Sequence, residues 1–179
     1  MRRIVVSEAD LMAGATLEYE GSEKRLYEAL GQLVVAAGDL QDALYLLYAA
    51  VTCKKADLVV QDLGGRTLGD LWKKVQTACD GLQLGMLQAQ FDNLKPHVVT
   101  AIEIRNSFIH ASWVENASEL DWGRTSRPKA KKKGDVLSEE WAVMETEEVR
   151  AGVGNIEAAT DSLEMFSYAF APVTGAVLP

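Results

Sequence analysis

The segment RLYEALGQLVVAAGDLQDALYLLYAAV, residues 25–51, decides the fold class of this 179-residue chain. Its apolar residues recur at alternating spacings of four and three: Leu26, Leu30, Leu33, Ala37, Leu40, Leu44, Leu47 and Val51. Such a seam is typical of one long α-helix that packs along its length on other helices. Gly31 and Gly38 each lower helix propensity by about 1 kcal/mol relative to Ala. We attribute the presence of these two glycines to close approach of a neighbouring helix. The seam and the two glycines fit either a dimer interface or the core of one protomer.

Two further stretches predict helices in the middle of the chain. Thr67 caps a short helix, with Asp70 three residues later in the capping-box position. The apolar face of this helix consists of Leu68, Leu71, Trp72, Val75 and Cys79. A longer helix begins near Leu84–Leu87 and runs to about Ser112, and Pro96 either kinks or restarts it.

The last helix begins at Thr146, after a stretch that has no helical period. Thr146 caps it, and two glutamates follow in the first turn, where the helix dipole favours acids. Residues 113–144 contain three short runs that are candidates for short strands. The sequence thus predicts an all-α fold, an antiparallel four- to five-helix bundle with an irregular excursion before the last helix. We expect an irregular segment at 1–21, the bundle at 22–170 and a tail at 171–179.

Composition favours one globular domain in the cytoplasm. Hydrophobic residues make up 48% and charged residues 25% of the chain, as is ordinary for a folded domain. No apolar run approaches the ~18 residues that a membrane span needs. Glu8 and Asp10 interrupt the N-terminal segment where a signal peptide requires an apolar run. Cys53 and Cys79 lie in apparent helices without metal-ligand spacing, so we expect buried, reduced thiols, a cytoplasmic location and no membrane partner.

Charge is distributed unevenly along the chain. There are 18 Lys and Arg against 26 Asp and Glu, which gives a net charge of −8. Six of the cations form a basic segment without an acid among them: Arg124, Arg127, Lys129, Lys131, Lys132 and Lys133. Without those six, 12 cations face 26 acids, so the rest of the chain carries −14. The basic segment is a candidate RNA-binding loop, because phosphates require local positive charge, or else a solvated loop. The acidic remainder suits a basic protein partner.

Few side chains are available for acid–base chemistry. The sequence has no Gly-rich phosphate loop, nucleophile elbow or His-Glu-x-x-His pair. Its two histidines, His97 and His110, have no second His or Cys at metal-ligand spacing, so we expect neither a metal nor another cofactor. Asn106 lies four residues before His110 and therefore shares its helical face. Arg105 continues the apolar seam of the same helix, and an arginine on a buried stripe requires an acid or a phosphate as its partner.

The element Glu103-Ile104-Arg105-Asn106-Ser107-Phe108-Ile109-His110 resembles the R-x4-6-H signature of HEPN-domain proteins, in the form Arg-Asn-x-x-x-His. In that family the signature lies at the C-terminal end of a long helix in a four- or five-helix bundle, as it is predicted to do here. The resemblance implies a metal-independent endoribonuclease that leaves 2′,3′-cyclic phosphate ends. His110 would be the general acid/base, Arg105 would hold the scissile phosphate, and Asn106 would orient one of them.

The family resemblance also implies partners and a biological setting. Many HEPN nucleases form their site where two protomers meet, so we expect a homodimer that acts on RNA, including structured RNA such as transfer RNA. Many members are toxins or antiphage effectors, which implies a cognate inhibitor or effector protein. A further polar or acidic residue often lies on an earlier helix, and Asp39 and Asp42 are the candidates.

The same residues also fit a non-catalytic helical module that binds a protein or RNA partner. Arg105 would then pair inside the bundle with an acid such as Asp39 or Asp42. His110 would be a cation at the C-terminal end of its helix, where the dipole favours positive charge. Fold alone does not decide between an enzyme and such a module.

Overall fold

The structure is a computed structural model that describes residues 15–82, 84–109, 112–116, 121–126, 140–144 and 146–174. Within these residues the chain forms five α-helices: α1 (Ala15–Thr52), α2 (Ala56–Leu63), α3 (Leu68–Asp80), α4 (Gln88–Ile109) and α5 (Thr146–Thr174). A 3-10 turn at Gly85–Leu87 leads into α4. The predicted all-α helical bundle is confirmed.

The excursion between α4 and α5 contains a small antiparallel sheet. Its strands are β1 (Ser112–Asn116), β2 (Asp121–Ser126) and β3 (Glu140–Met144), with β2 in the centre. Gly123 of β2 lies opposite Val114 on one side and Val143 on the other. The three short strands predicted from the sequence are therefore present.

Two compact units share these elements. One unit comprises Met1–Leu33 and Asn106–Ala151, and it includes the sheet. The other comprises Val34–Arg105 and Gly152–Pro179. We call the second one the helical unit, because it contains α2, α3, half of α1 and most of α4 and α5.

An aromatic cluster joins α3, α4 and α5 in the core of the helical unit. The ring of Phe91 stands 5.8 Å from that of Trp72 and 5.6 Å from that of Phe166 between centroids. Phe91 is fully buried, and Trp72 and Phe166 are nearly so. Lys95 places its ammonium 4.8 Å from the centre of the Phe91 ring. Paired aromatic rings add about 0.5–1.5 kcal/mol each beyond the burial of their area, so this cluster stabilises the unit strongly.

The short helix α3 forms as the sequence predicts. The Thr67 hydroxyl accepts a hydrogen bond from the Asp70 amide at 3.1 Å and donates one to the Asp70 carboxylate at 2.8 Å. Such caps stabilise a helix by about 1 kcal/mol. All five predicted apolar residues of its face are buried. In α1 the seam is buried as well, with Leu30 half-buried.

Several boundaries differ from the prediction. α1 begins at Ala15, seven residues before the expected start of the bundle. α4 is continuous through Pro96 and does not restart there, since the lost amide donor removes one hydrogen bond from a helix of 22 residues. α2 was not predicted, because only Val59 and Leu63 of its eight residues are buried and they give too short a pattern.

The two cysteines occupy different environments, so the expectation of two buried helical thiols is wrong for one of them. The two cysteines form no disulfide, and Cys79 is buried in α3. Cys53 is exposed in the turn after α1, with a φ of 55°. This left-handed conformation stops α1 and lets α2 start three residues later, at Ala56.

Within the described residues, no neighbouring helix approaches Gly31 or Gly38. A Cβ atom built at either position would meet no heavy atom within 4 Å, and both residues are exposed in the described part of the chain. The predicted reason for these glycines, close helix packing inside the protomer, is therefore wrong.

By length and composition, α1 passes the test for a membrane-spanning helix between Lys24 and Thr52. More than half of its most apolar window, 56%, is buried inside the protein. Core helices of soluble proteins pass the same test, so this property is weak grounds for a membrane span.

Candidate active site

Helix α4 carries the first part of the HEPN-like element at its C-terminal end. The helix is fixed by buried residues at spacings of three and four: Phe91, Leu94, Val98, Ala101 and Ile102. Arg105 follows in phase and is half-buried, with its Nε atom removed from solvent. Asn106 and Ser107 are exposed. A guanidinium at the edge of a buried stripe beside an exposed amide is an arrangement that can bind an anion.

Arg105 and Asn106 are each already engaged. Both take part in at least one hydrogen bond, ion pair, ring contact or other electrostatic interaction. The sequence argument that Arg105 requires an acid or a phosphate as its partner stays a prediction.

The predicted general acid/base, His110, lies outside the described residues. The described part of α4 ends one residue earlier, at Ile109. The pairing of Asn106 and His110 on one helical face therefore stays a prediction. His97, the other histidine, is exposed on α4.

The two candidate acids on α1 do not pair with Arg105. Asp39 and Asp42 are both exposed, and neither forms a hydrogen bond or an ion pair with another residue in the described part of the chain. The alternative in which one of them neutralises Arg105 inside the bundle therefore receives no support. Asp42 instead borders an open depression of the helical unit.

Most of the basic segment lies outside the described residues. Arg124 belongs to β2, where its Cα atom lies opposite Trp113 of β1 and Ala142 of β3. The other five cations lie outside the described residues: Arg127, Lys129, Lys131, Lys132 and Lys133. The sheet thus holds the start of the segment, and RNA binding by the remainder stays a prediction.

A depression of about 290 Å³ opens among α1, α2 and α5 of the helical unit, and no sequence motif predicted it. Its walls are formed by Asp42, Ala43, Tyr45, Leu46, Ala56, Val60 and Glu164. We call it the acidic groove, because the carboxylates of Asp42 and Glu164 line it together with an apolar floor. Its residues are scattered over 123 positions of the chain, from 42 to 164, and no local motif connects them.

Cys79 is unsuited to act as a nucleophile. Burial, together with the nearby Asp80 carboxylate, raises the pKa of its thiol to about 12. The thiolate is the reactive form, so Cys79 is inert at neutral pH. Nearby on α4, hydrogen bonds from Lys95 and Gln88 lower the pKa of Asp92, and the bond to Asp92 raises the pKa of Lys95. This exposed pair is an ordinary surface ion pair with an N–O distance of 2.8 Å.

The described residues contain no group of three His, Cys, Asp or Glu side chains placed to hold a metal ion.

Comparison with known proteins adds no relative. No protein family, no curated protein and no solved structure matches the chain. The HEPN resemblance therefore rests on the element from Glu103 to His110 and on the order of the helices.

Proposed function

We propose that this protein is a metal-independent endoribonuclease of the HEPN type. The proposal is carried by the Arg-Asn-x-x-x-His element, whose residues Arg105 to Ile109 form the C-terminal end of a long helix in an all-α bundle. It is supported by the exposure of Asn106 and by the half-burial of Arg105, which leaves a cation beside an accessible amide.

The proposed reaction is an attack of a ribose 2′-hydroxyl on the adjacent phosphorus. His110 takes the proton of that hydroxyl, or gives a proton to the departing 5′-oxygen, and so acts as general base or acid. Arg105 holds the non-bridging oxygens of the phosphate and stabilises the charge that develops on them. Asn106 orients His110 or the phosphate by hydrogen bonding. The products are a 2′,3′-cyclic phosphate and a 5′-hydroxyl.

We further propose that two protomers build the site together and that the substrate is a structured RNA such as a transfer RNA. An acidic chain with a net charge of −8 repels free polyanions, so the substrate must be recognised by the basic segment or delivered by a partner. A cytoplasmic toxin or phage-defence effector, restrained by a cognate protein, fits these requirements.

A non-catalytic binding module is the second candidate, and one observation favours it. The Nε atom of Arg105 is removed from solvent, so part of its guanidinium is committed to the interior and only the remainder is available to a phosphate. In a module of this kind Arg105 is a structural residue, and its substitution affects stability without affecting any reaction.

The deciding experiment is RNA cleavage in the presence of EDTA by the wild type, His110→Ala and His97→Ala. The two substitutions are chemically identical, and His97 is the exposed histidine of the same region, so it serves as the matched control. We expect cleavage with cyclic-phosphate ends by the wild type and His97→Ala, and at least a 10²-fold loss, roughly the contribution of one acid–base group, in His110→Ala.

Other results would change the assignment. Equal cleavage by all three proteins would mean that the activity does not belong to His110. No cleavage of bulk RNA or transfer RNA by a dimeric wild type would favour the binding module. Sedimentation of the same samples establishes the oligomeric state.

A further inference from the structure

The acidic groove continues along the helices that form it. On α1, Asp39 precedes Asp42 by three residues and so lies on the same helical face. On α5, Asp161 precedes Glu164 by three residues and Tyr168 follows it by four. Large apolar side chains are exposed beside these acids: Val60 is 48% exposed and Tyr168 is 59% exposed. The surface therefore combines an apolar floor with an acidic rim.

The three helical segments that form the groove carry charge of one sign only. Residues 34–52, 56–63 and 152–174 contain no Lys, Arg or His. They contain seven acids: Asp39, Asp42, Asp57, Asp62, Glu157, Asp161 and Glu164. One of the seven, Asp62, is neutralised by Lys54, which lies in the connection between α1 and α2 at 3.2 Å. The other six form no ion pair with a described residue.

We propose that the acidic groove binds a basic amphipathic helix of a partner protein. An apolar side chain of that helix enters the depression between Leu46, Ala56 and Val60. Lysines or arginines on either side of it reach the carboxylates of Asp42 and Glu164. Helices commonly bind to apolar grooves through residues spaced by three or four positions, and complementary charge at the rim guides the encounter and selects the partner.

The size of the depression suits a side chain better than a cofactor. Its volume of about 290 Å³ lies just below the range of small-molecule pockets, roughly 300–1,000 Å³. Its charged groups are two exposed carboxylates on separate helices, Asp42 on α1 and Glu164 on α5, and each suits one cationic side chain.

Charge argues against the other occupants of an exposed apolar surface. A second copy of this chain placed across a two-fold axis would bring the acidic rim against itself, because such an interface uses the same patch twice. RNA and anionic lipid surfaces are repelled by the same carboxylates. A basic partner is attracted by them. This inference does not depend on the ribonuclease proposal, since neither Arg105 nor His110 belongs to the groove.

The test measures binding of a fluorescein-labelled helical peptide of Leu and Lys, about 18 residues long, to the full chain by fluorescence anisotropy. A peptide with Glu in place of Lys, and one of the same composition in scrambled order, are the probe controls. We expect binding of the amphipathic Lys peptide alone. Raising the salt concentration from about 0.05 M to about 0.3 M should weaken it, because the rim charges are exposed.

Matched variants locate the binding site. Val60→Asp places a charge in the floor and should weaken binding by about tenfold or more. Leu58→Asp is its control, because Leu58 lies on the same helix with 47% exposure and outside the groove. Asp42→Asn with Glu164→Gln should weaken binding about fivefold or more, whereas Glu28→Gln with Asp80→Asn removes the same charge elsewhere and should change it less than twofold. Circular dichroism verifies that every variant is folded.

Three outcomes would overturn the proposal. One is equal loss of affinity in the groove variants and their controls. Another is equal binding of the Lys and Glu peptides, or binding of neither at about 1 mM, the weakest affinity that a specific contact of this size would give. The third is self-association, or flotation with anionic vesicles, that Val60→Asp abolishes, because the occupant would then be a second copy or a lipid surface.

Discussion

The C-terminal end of α4 and the acidic groove differ in the sign of their charge and in how the chain builds them. At the end of α4 a half-buried cation, Arg105, is followed at once by the exposed amide of Asn106 on one helix. The groove takes its residues from three helices and exposes two carboxylates, those of Asp42 and Glu164, beside an apolar floor. The first arrangement is proposed to bind an anion and the second a cation, so the two proposals assign partners of opposite charge to one protein.

This difference has a consequence for function. An element of a few consecutive residues keeps its chemistry whenever its helix forms, whereas a groove between helices exists only when those helices are packed. Substitutions at the end of α4 should therefore change RNA cleavage alone, and substitutions in the groove should change peptide binding alone. Substitutions in the core of the helical unit should change both.

The largest expected effect is that of Arg105→Ala on RNA cleavage. Loss of the guanidinium that is proposed to hold the phosphate should lower the cleavage rate by about 10²–10³-fold, or roughly 2.7–4 kcal/mol of transition-state stabilisation. Binding of the Leu-Lys peptide should be unchanged. Arg105→Lys keeps the charge but loses the planar fork, so an intermediate rate is expected. Cleavage rate and peptide affinity are measured on the same preparations.

Arg105→Ala also separates the two candidate functions. In the binding module, Arg105 is a structural residue, so the substitution should lower the melting temperature as its main effect. A fall in cleavage at an unchanged melting temperature favours the enzyme. Loss of both cleavage and peptide binding would show that the two regions are not independent.

The second effect concerns the core that supports the helical unit. Phe91→Ala removes a fully buried ring that contacts Trp72 and Phe166, and it should lower the free energy of unfolding by about 3–5 kcal/mol. Peptide binding should be lost together with the fold, because the groove depends on the packing of the helices. Denaturant titration measures the change.

Met86→Ala is the control for the core, because Met86 is 95% exposed. Its effect should stay within about 0.5 kcal/mol. Peptide binding that survives in an unfolded Phe91→Ala protein would show that the peptide recognises acidic charge without needing a groove.

The sequence predicted the parts of this molecule that depend on local periodicity. Spacing alone predicts the apolar face of α3 and the seam of α1, because each helix must bury its apolar stripe. The Thr67 cap follows from the capping-box pattern of Thr67 and Asp70. α2 was not predicted, because its two buried residues, Val59 and Leu63, are too few to define a helical period. Pro96 does not restart α4, which was one of the two predicted alternatives, because the packing of the helix offsets one missing hydrogen bond.

The two candidate sites differ in the same way. Arg105, Asn106 and His110 could be predicted as a site because they are close in sequence. The groove could not be found, because Asp42, Val60 and Glu164 meet only through the packing of three helices. One signal was available, namely the absence of any cation from the segments around them, but a charge pattern does not reveal which helices are neighbours.

The smallest effect is expected at Gly38, on the exposed side of α1. An added Cβ would meet no atom within 4 Å, so Gly38→Ala should raise the free energy of unfolding by about 0.5–1 kcal/mol through helix propensity alone. Gly154→Ala is the matched control, because Gly154 lies in α5, is exposed and has equally open surroundings. Denaturant titration at low protein concentration should give similar gains in the free energy of unfolding for both variants.

The Gly38→Ala and Gly154→Ala variants also test the dimer that the ribonuclease proposal requires. If a second copy packs closely on this face of α1, Gly38→Ala should weaken self-association in sedimentation experiments while Gly154→Ala does not. Equal behaviour of the two variants at all protein concentrations would place the dimer contact elsewhere and leave Gly38 without a packing role.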